Sequence, residues 1–516
     1  MSEMLGNRRA FWVFWLGCIA VTVGTVLHLP MYLMARNAGY RLADMPMDIG
    51  MEIGMVLIVA GVLLTAYGLA PSRTGEDADP IGMAVTHPDG VPLAPAHWRL
   101  MLILTVALVV DVMKPASLGL VLPGMREEYG VSKAVVAWLP FSALSGTFLG
   151  SILFGILADL YGRRAAILIS SIMFVGTSIC GAMPTFWWNV FMCFMMGMAA
   201  GGMLPVTYAL LTETMPTRSR GVALVVVGAL GAAGGYLAAN GLSAVLQPAF
   251  GWRIMWFLNL PTGLLLILIS GWIPESAKFL LHTGRLAEAR EVLKKFGSVL
   301  APVAAMAPEA AAPSSQTGKV ILLSIAALAW SMTNFGILLW LPAELVSKGY
   351  SIGASSAFLA QSAVISIPTA ALAAFLYNRW STKYTLVASM ILTGVGLMGI
   401  MLLEHPVAGF PASPLLPVAV VVFGSNALLA VLLPYTAELF PARIRGRATG
   451  WVAGCTKFGG IFAQLLGLLG LLVTLGQAAL TVAALLGIAC VLVILFGDET
   501  RGRDLGHLDA DRVTKT

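Results

Sequence analysis

Fourteen apolar runs, each near or above bilayer-spanning length, constrain this chain more than any other feature. They lie near 11–35, 48–70, 100–123, 134–158, 165–183, 186–211, 222–246 and 254–273. After a break come 320–346, 355–377, 384–404, 415–437, 447–473 and 475–497. A helix crosses the hydrocarbon layer with ~20 mostly apolar residues. An open sheet cannot cross it, because its edge would leave backbone polar groups unpaired in lipid. The expected fold class is therefore all-α membrane, with 14 transmembrane helices. Composition agrees: 58% of residues are hydrophobic and 11% charged, with mean hydropathy +0.87, where a soluble domain is roughly a quarter charged.

The first run follows Arg8 and Arg9 and is too long for the core of a cleaved leader. No small-residue cleavage site follows it, so a retained helix is expected. Cys18, Cys180, Cys193, Cys455 and Cys490 all fall inside apolar runs without metal-binding spacing, and read as small core residues. The net charge of +6 reflects loop topology rather than nucleic-acid binding.

Placing the loops alternately, with the amino terminus in the cytoplasm, puts most of the 31 Lys and Arg residues on the cytoplasmic side. Arg36, Arg41, Arg126, Lys133, Arg253 and Lys348 fall on the other side, and Lys114 and Lys457 fall within spans. That asymmetry follows the positive-inside rule. It requires an even number of spans before residue 98. The expected plan is a two-helix extension and linker (1–97), a six-helix unit (98–273), a break (274–319), a second six-helix unit (320–497) and a cytoplasmic tail (498–516). Within the break, Leu286, Ala289, Val292, Leu293 and Phe296 share one helical face. The segment APVAAMAPEAAAPSSQTG that follows reads as a linker.

The two six-helix units are copies of one another. ETMPTRSRG (213–221) and ELFPARIRG (438–446) share Glu-x-x-Pro-x-Arg-x-Arg-Gly at an offset of 225. Gly234 and Gly235 keep that register with Gly459 and Gly460. Both copies fall between the fourth and fifth spans of their unit. Duplicated bundles with a midplane site between the repeats are a transporter arrangement.

GILADLYGRRAAIL (155–168) lies in the loop between the second and third spans of the first unit. Its Gly155, Leu157, Ala158, Asp159, Gly162, Arg163 and Arg164 resemble the signature of the major facilitator superfamily. PESAKFL (274–280) and GDETRGRDL (497–505) resemble motifs of its sugar-porter and organic-ion/metabolite branches. The second-unit equivalent, FLYNRWSTK (375–383), is degenerate. The resemblance covers about 98–508 and leaves the extension outside. It implies two pseudo-symmetric halves rocking about a central site. On the charges alone, Asp159, Arg163 and Arg164, with Glu213, Arg218 and Arg220 and with Glu438, Arg443 and Arg445, form a cytoplasmic gating set able to latch one state.

Charged and polar residues within spans are costly and point to the pathway. Asp111 and Lys114 stand i,i+3 on the first core span, so they can pair, and Pro115 follows them. Related metabolite symporters carry Asp-x-x-Asp there, which gives Asp111 the proton-coupling role by resemblance and leaves Lys114 as a departure. Lys457 lies ~16 Å into its helix. In the family fold Lys114, Lys457, Asn334, Tyr208, Tyr435, Asn426 and Gln361 are the expected cavity residues. Two lysines facing one cavity would suit an anion.

The chain lacks a Walker motif, a nucleophile triad and zinc spacing. The expectation is a multi-pass transporter of the bacterial inner membrane, not an enzyme, with no cofactor or metal and both termini cytoplasmic. It would be monomeric, with lipid, protons and a small organic solute, an anion rather than a sugar being favoured, as partners and no nucleic acid. Proton symport is favoured. GALGAAGGYLAANG (228–241), which resembles an antiporter signature or else serves close packing, leaves a drug/proton antiporter as the alternative. A non-transporting receptor or scaffold is the remaining reading.

Overall fold

A computed structural model describes residues 8–70, 83–86, 92–302, 317–404, 414–440, 442–471 and 474–501. The linker 303–316 and the tail beyond 501 lie outside the described residues. The extension contributes α1 (Arg8–Val26) and α2 (Ile49–Gly68). The first half is α3 (Pro95–Glu128), α4 (Trp138–Tyr161), α5 (Arg163–Gly176), α6 (Phe186–Thr214), α7 (Thr217–Phe250) and α8 (Asn259–Ile269). Two short helices follow, α9 (Ala277–His282) and α10 (Leu286–Phe296). The second half is α11 (Thr317–Ser331), a π-helical turn (Met332–Leu338) and α12 (Leu341–Ser347), then α13 (Ile352–Ser366) and α14 (Thr369–Arg379) as one broken span. It is completed by α15 (Thr382–Glu404), α16 (Leu415–Leu439), α17 (Ala442–Leu468) and α18 (Leu475–Phe496).

Thirteen helical segments among the described residues are long and apolar enough to cross a membrane. The fourteenth expected span is α17, a continuous helix of 27 residues. Lys457 and Gln464 dilute its apolar character, and three arginines crowd its first turns. The one exception to an all-helical structure among the described residues is a pair of four-residue strands. β1 (Met83–Thr86) and β2 (Val299–Pro302) run antiparallel and join the extension's linker to the segment after α10.

The extension is not a free appendage. Tyr32 donates from its hydroxyl to the Phe250 carbonyl at 2.7 Å, and Thr25 Oγ1 donates to the Val175 carbonyl at 3.2 Å. The amides of Leu42 and Ala43 donate to Glu128 Oε1 at 2.6 and 3.0 Å. Its helices lie on the span that α5 begins (Arg163–Ala182), which is almost wholly buried. Ser170, Ser171, Thr177 and Ser178 of this spanning segment are all buried in protein, and Ser170 donates to the Ala199 carbonyl of α6. Ala289, Leu293 and Phe296 of α10 are buried, and Phe296 stacks edge-on against His97 at the start of α3.

The two halves are bonded to each other at the face opposite the basic loops. Lys133 Nζ lies 3.6 Å from Glu344 Oε2, and Ser243 Oγ lies 2.8 Å from Ser356 Oγ. Gly119 of α3 packs directly on the Leu339 carbonyl, where any Cβ would collide. The bonds described at the basic-loop face join residues of one half only. Arg163 reaches Asp159 (3.2 Å) and Glu213 (3.1 Å) within the first half. Glu438 accepts from the hydroxyls of Tyr377 and Thr500, each at 2.7 Å, within the second.

Candidate substrate and proton site

Asp111 and Lys114 lie midway along α3 and are buried, 7% and 1% exposed. The i,i+3 spacing suggests a direct pair, but no N···O contact between them falls within 4.0 Å. The Lys114 ammonium instead sits over the Phe174 ring of α5, 3.2 Å from its centroid. It has no hydrogen-bond partner, and neither has Asp111 Oδ1. Two cations bear on the Asp111 carboxylate, Lys114 of its own helix and Lys457 of α17 in the second half. Lys457 is only half-buried although it lies well inside α17. Its ammonium stands 6.0 Å from the Phe335 ring centroid. One acid of the first half and one base of the second therefore act on each other inside the bundle.

The surrounding backbone is arranged to hold Lys457 near the irregular part of the seventh core span. Ser331 Oγ donates to the Thr456 carbonyl, one residue before Lys457. Gln464 lies two turns further along the same face. It accepts from Trp340 Nε1 at 2.9 Å and donates its own amide to the Phe335 carbonyl. Phe335 belongs to the π-helical turn, a departure from α-helix that recurs at functional sites.

The other expected cavity residues are distributed more widely. Asn334 is 4% exposed and donates to the Trp330 carbonyl at 3.0 Å. Asn426 reaches Ser366 Oγ at 3.4 Å. Gln361 is exposed. Tyr208 directs its hydroxyl against Gly228 of α7. Tyr435 requires correction. It is fully buried and donates to the Asp498 carbonyl at 2.7 Å, because α16 ends beside the chain's last described segment, so it fastens that segment at the basic-loop face.

In the basic-loop set, Gly162 adopts φ +98°, which favours glycine, and a Cβ there would strike the Glu275 carboxylate. Glu275 Oε1 accepts the Arg163 amide at 2.7 Å and the Arg164 amide at 3.4 Å, capping α5. Burial pushes the Glu275 carboxyl up, partly offset by these amides. Glu499 repeats the arrangement on α15, accepting from Ser381 Oγ, Thr382 Oγ1 (2.6 Å) and the Thr382 amide (3.0 Å). Partial burial alone would raise it, but these donors outweigh that and hold it down to about 2. A Cβ at Gly155 would stand in open space. Arg220 donates to the Met215 carbonyl at 3.4 Å. The side chains of Arg218, Arg443 and Arg445 lie outside the described residues.

The glycines of α7 have a packing cause. A Cβ at Gly231, Gly234 or Gly235 would stand 2.5, 2.7 or 2.6 Å from Leu108, Val109 or Val112 of α3. Small residues let these helices approach.

The sequence profile of the Major Facilitator Superfamily matches residues 101–423. This chain belongs to that superfamily. It is a multi-pass membrane transporter, not an enzyme. A niacin transporter of Acinetobacter baylyi is 25% identical over 444 residues, 82% of this chain and 98% of that protein. A benzoate transport protein of the same organism is 25% identical, covering 79% of this chain and 91% of that one. A 4-hydroxybenzoate transporter of Pseudomonas aeruginosa is 27% identical, covering 78% and 93%. Among solved structures, the inward-open xylose transporter XylE of E. coli superposes with TM-score 0.63 at 16% identity, over 80% of this chain and 99% of that one. That likeness shows the two-half fold.

Proposed function

We propose that this transporter carries small organic monoanions together with protons, in symport, across a bacterial inner membrane with both termini cytoplasmic. What supports the reading is that Asp111 of the first half and Lys457 of the second are opposite charges placed inside the bundle, each bearing on the other. In the empty site the pair balances its own charge. A substrate carboxylate that takes Lys457 leaves Asp111 without that partner, and a proton on Asp111 then restores the balance. The loaded and empty sites carry the same net charge, so both can cross the same low-dielectric barrier. This matters because an uncompensated charge in the membrane interior costs several kcal/mol.

The relatives support the substrate class. Niacin, benzoate and 4-hydroxybenzoate each place one carboxylate on a small aromatic ring, and those proteins are named for moving them. The half-buried Lys457 beside Phe335 is suited to such a shape. With the basic loops in the cytoplasm, the bonded face is the outer one, and access to the site is from inside.

Ligand-induced thermal stabilisation of the purified protein tests the reading. Nicotinate, benzoate and 4-hydroxybenzoate are the first ligands to try. A ligand at 100 times its dissociation constant stabilises the folded state by about 2.7 kcal/mol. Lys457→Ala should remove that stabilisation. A ligand that stabilises wild type and Lys457→Ala equally excludes Lys457 from the site.

A further inference from the structure

Phe174 is not among the residues that the spacing, the motifs or the relatives single out. It lies on α5, fully buried, and its ring carries the Lys114 ammonium 3.2 Å from its centroid. Lys114 is three residues from Asp111 on the same helix, a separation at which opposite charges normally meet. In this protein they do not. The ammonium has given up its nearest carboxylate for an aromatic face, with no hydrogen bond at all. A desolvated cation–π contact is strong enough to compete for the ammonium when the ring is fixed in place. α5 is so fixed. The extension covers it, and Thr25 holds the carbonyl of Val175, the residue next to Phe174.

We propose that Phe174 is a positioning residue for proton coupling: its ring holds Lys114 away from Asp111 and so leaves Asp111 to Lys457 of the opposite half. The groups facing this arrangement are few. Asp111 is acted on by Lys457 of α17 and Lys114 of its own helix. Lys114 is acted on by Asp111 and by the Cys180 thiol just beyond α5. Without the ring, the acid among the described residues that bears on Lys114 is Asp111. The two would then close into a pair inside the first half, and the opposition between the halves would be lost. The inference rests on Asp111 being the proton carrier, but its geometry can be tested without any substrate.

The test is an infrared titration of the Asp111 carboxyl band in purified full-length protein, assigned by its loss in Asp111→Asn. Phe174→Leu removes the aromatic face. Phe174→Met, whose longer and more adaptable side chain fills the site differently, is the second variant should the leucine variant fold poorly. Either should move the titration midpoint down by about one pH unit or more, the effect of a new opposite charge at close range. In a Lys114→Met background the same substitution at Phe174 should move it by almost nothing. That dependence on the ammonium separates positioning from general packing damage. A midpoint unchanged by both Phe174 variants overturns the proposal. So does an equal shift with and without the lysine. If Asp111 titrates as described but transport ignores pH gradients, the positioning stands and the proton-carrier reading fails.

Discussion

Arg253 and Glu128 form a fully buried ion pair that ties the extension to the first half. Arg253 Nη2 donates to Glu128 Oε1 at 2.7 Å, with side chains 0% and 5% exposed. The guanidinium also donates to the Gly181 and Met183 carbonyls and to the Tyr129 hydroxyl, while the carboxylate takes Trp252 Nε1 and the amides of Leu42 and Ala43. Every strong group at this junction has a partner. Removing one member strands the other, and breaking a buried pair costs about 3–5 kcal/mol. Glu128→Ala should therefore lower the unfolding temperature sharply. It should also expose the loop around Leu42 to limited proteolysis, while Glu127→Ala, whose side chain is 73% exposed, should change neither.

Two locks should separate moving from fixed contacts. Ser243 and Ser356 touch across the halves at 2.8 Å, so a cysteine pair at these positions is within reach of a disulfide. Its oxidation should stop transport, and reduction should restore it. Ile58 and Gly176 touch between the extension and α5, a Cβ at position 176 standing 2.8 Å from Ile58 Cγ2. A disulfide between cysteines at those two positions should leave transport intact, because the extension travels with the first half. Both pairs are read by uptake in a background without the native cysteines.

The two carboxylate caps respond to pH in opposite senses. Glu499 is held down to about 2, against roughly 4.3 in an unfolded chain. Its contribution is present above the unfolded value and is lost as pH falls from there toward 2. Glu275 is pushed up by burial, so its ionisation works against folding as pH rises through its raised value. Near neutrality Glu499→Gln should destabilise the protein more than Glu275→Gln. Between about pH 4.5 and 2.5 the Glu499→Gln deficit should shrink. Thermal unfolding of both variants across that range checks the signs.

Much of the fold was legible because lipid leaves so few options. Run length gave the spans, and the basic residues gave an even number before the first half. The Glu-x-x-Pro-x-Arg-x-Arg-Gly repeat gave the duplication. For the site, a lysine in an apolar run stands out in the sequence, and that is how Lys457 was singled out. Lys114 was misleading because spacing along one helix reveals which groups can meet, not which will. Its flexible stem chose a ring on another helix, sixty residues further along the chain. Tyr435 looked like a cavity residue because nothing local reveals that the chain returns past α16 at Asp498. Gln464 is the residue that could have been found, a polar side chain two turns from Lys457 on the same face. The Glu275 and Glu499 caps could not have been, since each depends on a contact more than a hundred residues away.

The central claim is that Asp111 carries the proton which accompanies an organic anion. Uptake into proteoliposomes, driven by an inward pH gradient and compared with exchange at equal pH, tests it most directly. Nicotinate, benzoate and 4-hydroxybenzoate are the substrates to measure. Wild type should accumulate at least one of them under the gradient. Asp111→Asn should lose accumulation by tenfold or more, about 1.4 kcal/mol, while still exchanging labelled for unlabelled substrate. Accumulation by Asp111→Asn at the wild-type rate, or wild-type uptake indifferent to the gradient, would contradict the account.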